Sequence, residues 1–178
     1  MKNLSIIISL LLSMTNIVNS QIINNDSLVM VKAVKEQAHH NTQSFLKKDF
    51  ASVVATTYPA TVKGMGGEKA MLDYLLKGAK EMEADNVSFT NVTLGEPTRI
   101  IKTEKEFQCT LSQILEMKVP GGKVFSKSTL IAISMDNGKK WYFIDTSGLD
   151  ITMLKAMIPS ISPDLIIPQE DKPVLIKD

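Results

Sequence analysis

Few side chains in this sequence stand out by their position as candidates for a catalytic acid, base or nucleophile. Asp145 is the main candidate, because in the alternating run 139–146 it shares a strand face with Trp141 and Phe143. A carboxyl group among apolar rings has a raised pKa, which suits general acid or base catalysis. In the alternative interpretation, Asp145 ends the strand and caps the turn at Ser147. Both interpretations stay open at this point.

The remaining reactive side chains are better explained by structure. Cys109 lies between Phe107 and Leu111 on an apolar strand face, where a small buried hydrophobic residue is typical. A nucleophilic cysteine would need a neighbouring base and a lowered pKa. His39 and His40, the only 2 histidines, point about 100° apart on a helix, so they cannot chelate one metal ion together. We therefore predict a surface role for both histidines, with no metal and no cofactor.

The first half of the chain has the periodicity of helices. Apolar residues at helical spacing predict an amphipathic helix over roughly 27–47, and Asp49 is predicted to cap a short second helix. This second helix is expected to end before Pro59, since the residue before a proline avoids the helical conformation. We interpret 58–67 as an irregular connection with glycine turns, and predict a third helix over roughly 67–83.

From Val87 onward the apolar residues alternate, which is typical of strands. A turn is predicted at 120–122 and a hairpin turn at Asp136-Asn137-Gly138. A last short helix is predicted over about 150–158. The predicted strands are 87–94, 97–103, 107–117, 124–135 and 139–146. Helices followed by an antiparallel meander indicate an α+β fold, with the apolar face of the sheet packed on the helices.

The first twenty residues resemble a targeting segment. Lys2, an apolar run from Leu4 to Val18 and small residues up to Ser20 form the three-part pattern of a cleavable signal peptide, which predicts cleavage between Ser20 and Gln21. The alternative is a retained membrane anchor. A spanning helix, however, needs about 20 predominantly apolar residues, and this run is shorter. We therefore expect an exported protein, periplasmic or extracellular, with no membrane span after cleavage.

Composition limits the classes of partner. The chain has 20 basic and 19 acidic residues and a net charge of +1, which gives no electrostatic basis for binding nucleic acid. Arg99 is the only arginine, so bidentate clamps on phosphate are not expected. A single cysteine cannot form an intramolecular disulfide, so the core alone must stabilise the domain.

The domain is expected to cover 21–158, and a proline-rich tail follows it over 159–178. The tail contains the apolar runs Leu165-Ile166-Ile167 and Val174-Leu175-Ile176. It is too apolar for a free linker, so we expect it to pack on the domain or on a partner.

The order of these elements resembles the nuclear transport factor 2-like superfamily over roughly 27–146. The most similar segments are Tyr58-Pro59, Gly66-Gly67-Glu68 and the strand from Trp141 to Asp145. The resemblance implies N-terminal helices packed in a curved antiparallel sheet that forms a cone with an apolar pocket, and frequently a homodimer through the sheet. Members include ketosteroid isomerases, polyketide cyclases, dehydratases and exported domains with no known reaction, so the fold alone does not decide function.

The resemblance also directs the choice of site residues. In the isomerases the base is an aspartate after the second helix, and the corresponding stretch 58–63 has no Asp, Glu or His. The leading hypothesis is therefore a non-catalytic exported domain that binds a small apolar ligand or a partner protein in the cone. The alternatives are an isomerase, cyclase or dehydratase that uses Asp145, and an assembly protein that uses the tail. The residues expected to line the pocket are Phe45, Tyr58, Tyr74, Gln113, Trp141 and Phe143.

Overall fold

A computed structural model describes residues 25–169 and 171–178. The predicted signal peptide and its cleavage site between Ser20 and Gln21 lie outside the described residues. The helices are α1 (Asn25–Leu46), α2 (Phe50–Ala55), α3 (Pro59–Gly64), α4 (Glu68–Ala84) and α5 (Ile151–Met157). The strands are β1 (Ser88–Pro97), β2 (Ile101–Lys102), β3 (Phe107–Val119), β4 (Gly122–Ser134), β5 (Tyr142–Asp145) and β6 (Val174–Lys177). This order confirms the predicted α+β fold, in which helices precede an antiparallel sheet.

A long hairpin forms the centre of the sheet. Strands β3 and β4 pair without a register shift from Phe107 opposite Ser134 to Val119 opposite Gly122. Strands β1 and β2 pair with successive parts of β3 on one side, and β5 and β6 pair with successive parts of β4 on the other. Every pairing among these strands is antiparallel, so the hairpin organises the whole sheet.

The first face of the sheet packs on α1. Val34 and Ala38 lie four residues apart on one side of this helix, and both are fully buried. The sheet residues that pack with them are Cys109, Leu111, Leu130, Ala132, Trp141 and Phe143. The alternation that was predicted for β3 and β5 thus places its apolar residues against α1.

The second face of the sheet is covered by α5 and the tail. Its apolar cluster consists of Tyr58, Ile131, Ile133, Ile144, Leu154, Ile158 and Leu165. Polar side chains of β3 bind the tail backbone. The Gln108 amide donates to the Ser160 carbonyl oxygen at 2.9 Å and accepts from the Ser162 amide at 2.8 Å, and the Thr110 hydroxyl donates to the Ile166 carbonyl oxygen at 3.0 Å. The sheet is therefore buried on both sides where β3, β4 and β5 meet.

The predicted connection 58–67 was wrong, since it contains helix α3. Pro59 occupies the first turn of this helix, where its missing N–H costs no hydrogen bond. The conformation predicted for the preceding residue is correct, because Tyr58 is extended with φ −56° and ψ 126°. Proline thus ends α2 and begins α3 within a few residues.

Two predicted strands are shorter in the structure. The strand expected over 97–103 is reduced to Ile101–Lys102, while β1 extends to Pro97. The strand expected over 139–146 begins only at Tyr142. The backbone N–H of Trp141 donates instead to the Gln37 side chain of α1 at 2.8 Å, so this part of the chain is bound to the helix.

No helix among the described residues is long and apolar enough to cross a membrane.

Candidate ligand-binding cavity

A cavity of about 360 Å³ lies between helices α1 to α4 and the first face of the sheet. We call it the central cavity. Residues from α1 to α5 and from β1, β3, β4 and β5 line it, so most of the fold contributes. The lining residues are Asn41, Thr42, Phe45, Val53, Thr57, Thr61, Met65, Met71, Tyr74, Leu75, Phe89, Val92, Gln113, Leu115, Leu130, Phe143, Ile144, Asp145, Ser147 and Met157.

Four of the six predicted pocket residues line the central cavity. Phe45 lies near the end of α1, Tyr74 on α4, Gln113 on β3 and Phe143 on β5. Gln113 is buried and its amide donates to the Ser128 hydroxyl at 2.9 Å. Tyr74 is 66% exposed, so it lies where the cavity meets the solvent.

Tyr58 does not line the central cavity. The segment before α3 runs beside β5, where the Phe143 N–H donates to the Thr56 carbonyl oxygen at 2.8 Å and Thr57 forms a parallel bridge with Phe143. Successive residues of an extended segment point to opposite faces. Thr57 therefore lines the cavity, and Tyr58 packs in the cluster on the second face.

Trp141 also lies outside the central cavity. Its side chain is fully buried in the cluster that packs on α1. The indole Nε1–H donates to the Gly138 carbonyl oxygen at 3.0 Å, which satisfies its one polar group. Trp141 is a core residue of this domain.

Asp145 lies at the edge of the central cavity and is exposed. Its Oδ1 accepts from the Ser147 N–H at 2.9 Å and from the Ser147 hydroxyl at 2.7 Å. This is the geometry of the turn-capping alternative. Tyr74 is the other titratable residue in the described lining, so the cavity holds no buried acid–base pair among the described residues.

Most polar groups of the lining have partners inside the protein. The Asn41 amide donates to the Thr56 hydroxyl at 2.8 Å, and the Thr57 hydroxyl donates to the Val53 carbonyl oxygen at 2.9 Å. The Thr61 hydroxyl differs, because its Oγ1 is buried with no hydrogen-bond partner among the described residues. An unsatisfied buried hydroxyl costs about 1–3 kcal/mol. Because Oγ1 has almost no accessible surface, the Thr61 side chain must turn about χ1 before its hydroxyl can donate to a ligand in the cavity.

Thr61 was missed in the sequence because the segment 58–67 was interpreted as irregular. Once Pro59 is taken as the first residue of a helix, the side chains of Thr61 and Val62 fall on its buried side. The proline itself was therefore the available signal.

The other reactive side chains lie away from the central cavity. Cys109 is fully buried in the cluster on α1, and burial raises the pKa of its thiol to about 12. The thiol stays protonated at neutral pH, which does not suit a nucleophile. His39 and His40 are exposed on α1, as predicted. Within the described part of the chain, no group of three or more His, Cys, Asp or Glu residues could hold a metal ion.

A smaller cavity of about 170 Å³ lies next to the central cavity. We call it the outer chamber. It lies between the end of α1, helix α4 and the start of β1, and it shares Phe45, Tyr74, Leu75 and Phe89 with the central cavity. Its remaining lining residues are Leu46, Lys48, Phe50, Gly78, Ala79, Met82, Glu83, Val87 and Ser88.

No known protein family matches the sequence, and no curated protein is significantly similar to it.

Proposed function

We propose that the domain, after export to the periplasm or the cell exterior, binds a small, largely apolar ligand in the central cavity without catalysing a reaction. In this proposal the helices and sheet form the nuclear transport factor 2-like cone. The observation that carries the proposal is a cavity of about 360 Å³ with a mostly apolar lining. One lining residue is Thr61, whose hydroxyl is buried without a hydrogen-bond partner among the described residues. Asp145 is bound to Ser147 at the edge, so binding is favoured over catalysis.

The volume and lining indicate the size and chemistry of the ligand. A cavity of about 150 Å³ holds one benzene molecule, so a ligand of about two fused rings would fit. Met65, Met71 and Met157 are flexible side chains that adapt to irregular ligands. The Thr61 hydroxyl would donate to one oxygen of the ligand, and the remaining contacts would be apolar.

A matched pair of probes tests this proposal. We expect 2-acetylnaphthalene to bind more tightly than naphthalene in isothermal titration calorimetry, because only the former carries an acceptor for Thr61. The preference should be about two- to tenfold, as for one net hydrogen bond. The substitution Thr61→Val should remove it, and Thr93→Val, on the exposed side of β1, should leave it unchanged.

A blocking substitution supplies the second arm of the test. Leu115→Trp should fill the central cavity and abolish binding of both probes, and Met65→Trp provides a second blocked variant if the first does not fold. Circular dichroism would confirm that the variants are folded. Absence of saturable binding to the wild-type protein, or unchanged affinity in a folded blocked variant, would refute the proposal.

The tail supports a second candidate function, which is self-association. Val174, Leu175 and Ile176 of β6 are 58%, 51% and 55% exposed, and no other described strand pairs with the outer edge of β6. The Asp178 N–H donates to the Gly121 carbonyl oxygen. By alternation, Val174 and Ile176 direct their backbone groups to β4, and those of Leu175 face outward.

We propose that the occupant of this edge is β6 of a second copy. Antiparallel pairing centred on Leu175 would place Val174 opposite Ile176 of the second copy, and Lys172 opposite Asp178 of the second copy. Opposite charges that face each other across strands stabilise pairing. The segment is thus complementary to itself in apolar and charged side chains, while Pro173, opposite Lys177 of the second copy, has no N–H to donate and limits the hydrogen-bonded part of the pair to the residues around Leu175. The product would be the homodimer through the sheet that the resemblance implies.

Charge reversal tests self-association through β6. Each of Lys172→Asp and Asp178→Lys should raise the dimer dissociation constant about three- to tenfold, since either creates two like-charged pairs per dimer. Combining them should restore the wild-type value, and Leu175→Pro should abolish the dimer. Sedimentation velocity over a concentration series measures the wild-type protein and the four variants. A wild-type protein that stays monomeric, or a double reversal as weak as the single ones, would contradict the assignment.

A further inference from the structure

The central cavity and the outer chamber share part of their lining. Phe45 forms edge-to-face contacts with Phe89, at a centroid distance of 4.9 Å, and with Phe50 at 6.3 Å. Phe45, Phe89, Tyr74 and Leu75 line both cavities. Aromatic side chains in such a shared lining can change rotamer, and a change at Phe45 or Phe89 would open a route between the two spaces.

Helix α4 forms the wall of the outer chamber and is weakly packed. Met71 is the one buried residue among its 17 residues, all of which the structure describes. It begins after Gly67, at φ 95°, and ends before Asn86, at φ 56°. Its apolar residues Leu75, Ala79 and Met82 line the outer chamber. The apolar side of α4 therefore faces space that other side chains leave unfilled.

Small residues maintain this space. A Cβ atom added to Gly78 would meet nothing within 4 Å, and Ala79 beside it also lines the chamber. Glycine in a helix interior costs about 0.5–1 kcal/mol relative to alanine. The glycine that leaves this volume open therefore destabilises helix α4 relative to alanine.

Charge in the lining restricts the polar end of a ligand. No Lys, Arg or His is among the described residues that line the central cavity. In the outer chamber Lys48 is paired with Glu83, and both are more than half exposed. An ionised carboxylate or phosphate beside Thr61 would be desolvated without a cation, which is strongly unfavourable. An ammonium group there would also be desolvated, because the one carboxylate among the described lining residues, Asp145, is at the edge and bound to Ser147. A ligand held there is neutral.

We infer that the two cavities form one elongated site for a neutral, single-chain amphiphile, such as a long-chain aliphatic ketone, alcohol or ester. Its oxygen accepts from the Thr61 hydroxyl once that side chain has turned toward the cavity. Its alkyl chain passes the Phe45 and Phe89 rings and ends beside Gly78 in the outer chamber. This inference rests on the proposed function, since it assigns the chemical class of ligand to the same cavity and extends the site beyond it.

A series of 2-alkanones from 2-heptanone to 2-tridecanone tests the inference by isothermal titration calorimetry. Affinity for the wild-type protein should rise about fourfold per methylene through the chain lengths that enter the outer chamber. Gly78→Leu should leave 2-heptanone binding unchanged and remove the gain for the longer ketones, and Ala79→Phe should do the same by filling the chamber from the next residue. Ala84→Leu, at an exposed position of the same helix, is the matched control and should keep the full gain.

The outcomes separate this inference from the proposed function. If 2-heptanone binds but affinity does not rise with chain length, or if Gly78→Leu and Ala79→Phe leave the rise intact, the outer chamber is not part of the site and the inference is overturned while the central cavity stands. If neither the ketones nor 2-acetylnaphthalene binds, both fail. A rise in affinity that Gly78→Leu removes and Ala84→Leu retains supports the elongated site.

Discussion

The substitution Trp141→Ala is expected to lower the free energy of unfolding by about 3–5 kcal/mol, the range for large aromatic residues in protein cores. Trp141 is fully buried and packs with Val34 and Ala38 of α1. The alanine variant would lose this packing and leave the Gly138 carbonyl oxygen without the indole donor. Urea denaturation followed by circular dichroism measures the change, because the variant lacks the only tryptophan.

Two comparisons make the Trp141 prediction specific. Trp141→Phe retains a ring but not the N–H, so its loss should be clearly smaller than that of Trp141→Ala. Affinity for 2-acetylnaphthalene should stay within about twofold of wild type in Trp141→Phe, as expected for a residue outside the cavity. The opposite pattern, with stability retained and affinity lost, would show that Trp141 lines the ligand pocket, as the sequence analysis predicted.

The second large effect is expected at Glu106, a buried carboxylate on the second face of the sheet. Its Oε1 accepts from the Tyr58 hydroxyl at 2.7 Å, and its Oε2 accepts from the Gln108 amide at 2.9 Å and from the Ser160 hydroxyl at 2.7 Å. Glu106→Ala would leave these donors without their acceptor. We expect a loss of about 3 kcal/mol, because each unsatisfied buried donor costs about 1–3 kcal/mol.

The hydrogen bonds of Glu106 with Tyr58, Gln108 and Ser160, which we call the Glu106 cluster, also join the start of β3 to the tail. Two measurements therefore test its role. Chemical denaturation should show the loss of stability, and limited proteolysis should cut the tail between 159 and 168 faster in Glu106→Ala than in the wild-type protein. Glu106→Gln should be intermediate, since it keeps one acceptor oxygen. Glu104→Ala, at an exposed position two residues away, is the control. Equal stability and equal cutting rates in Glu104→Ala and Glu106→Ala would show that the cluster does not hold the tail.

The parts of the fold that could be predicted depend on local patterns. Cys109, Leu111, Trp141 and Phe143 were placed on apolar strand faces because alternation is visible within a few residues. The burial of Gln108 could not be predicted in the same way, because a polar residue on an alternating strand indicates a solvated face. Its partners, Ser160 and Ser162, lie more than fifty residues further along the chain.

The candidate site was predicted in part for a similar reason. Phe45, Gln113 and Phe143 follow from helix and strand periodicity together with the family resemblance. The assignment of Tyr58 and the omission of Thr61 have one cause, since the conformation on either side of Pro59 decides where both side chains lie. Only the bridge to β5 and the helix after Pro59 settle this, and neither leaves a periodic pattern in the sequence.

The residues of α5 and the tail that cover the second face of the sheet are made last, and this affects the order in which the domain can fold. The hairpin of β3 and β4 joins neighbouring parts of the chain and can close as soon as residue 134 is made, and α1 is already available by then. Ile158 and Leu165 are made later, yet the apolar residues of the second face depend on them. A chain that has closed this hairpin before they are added presents Ile131 and Ile133 uncovered, so we expect a partly finished sheet that needs protection from aggregation, during synthesis or during export.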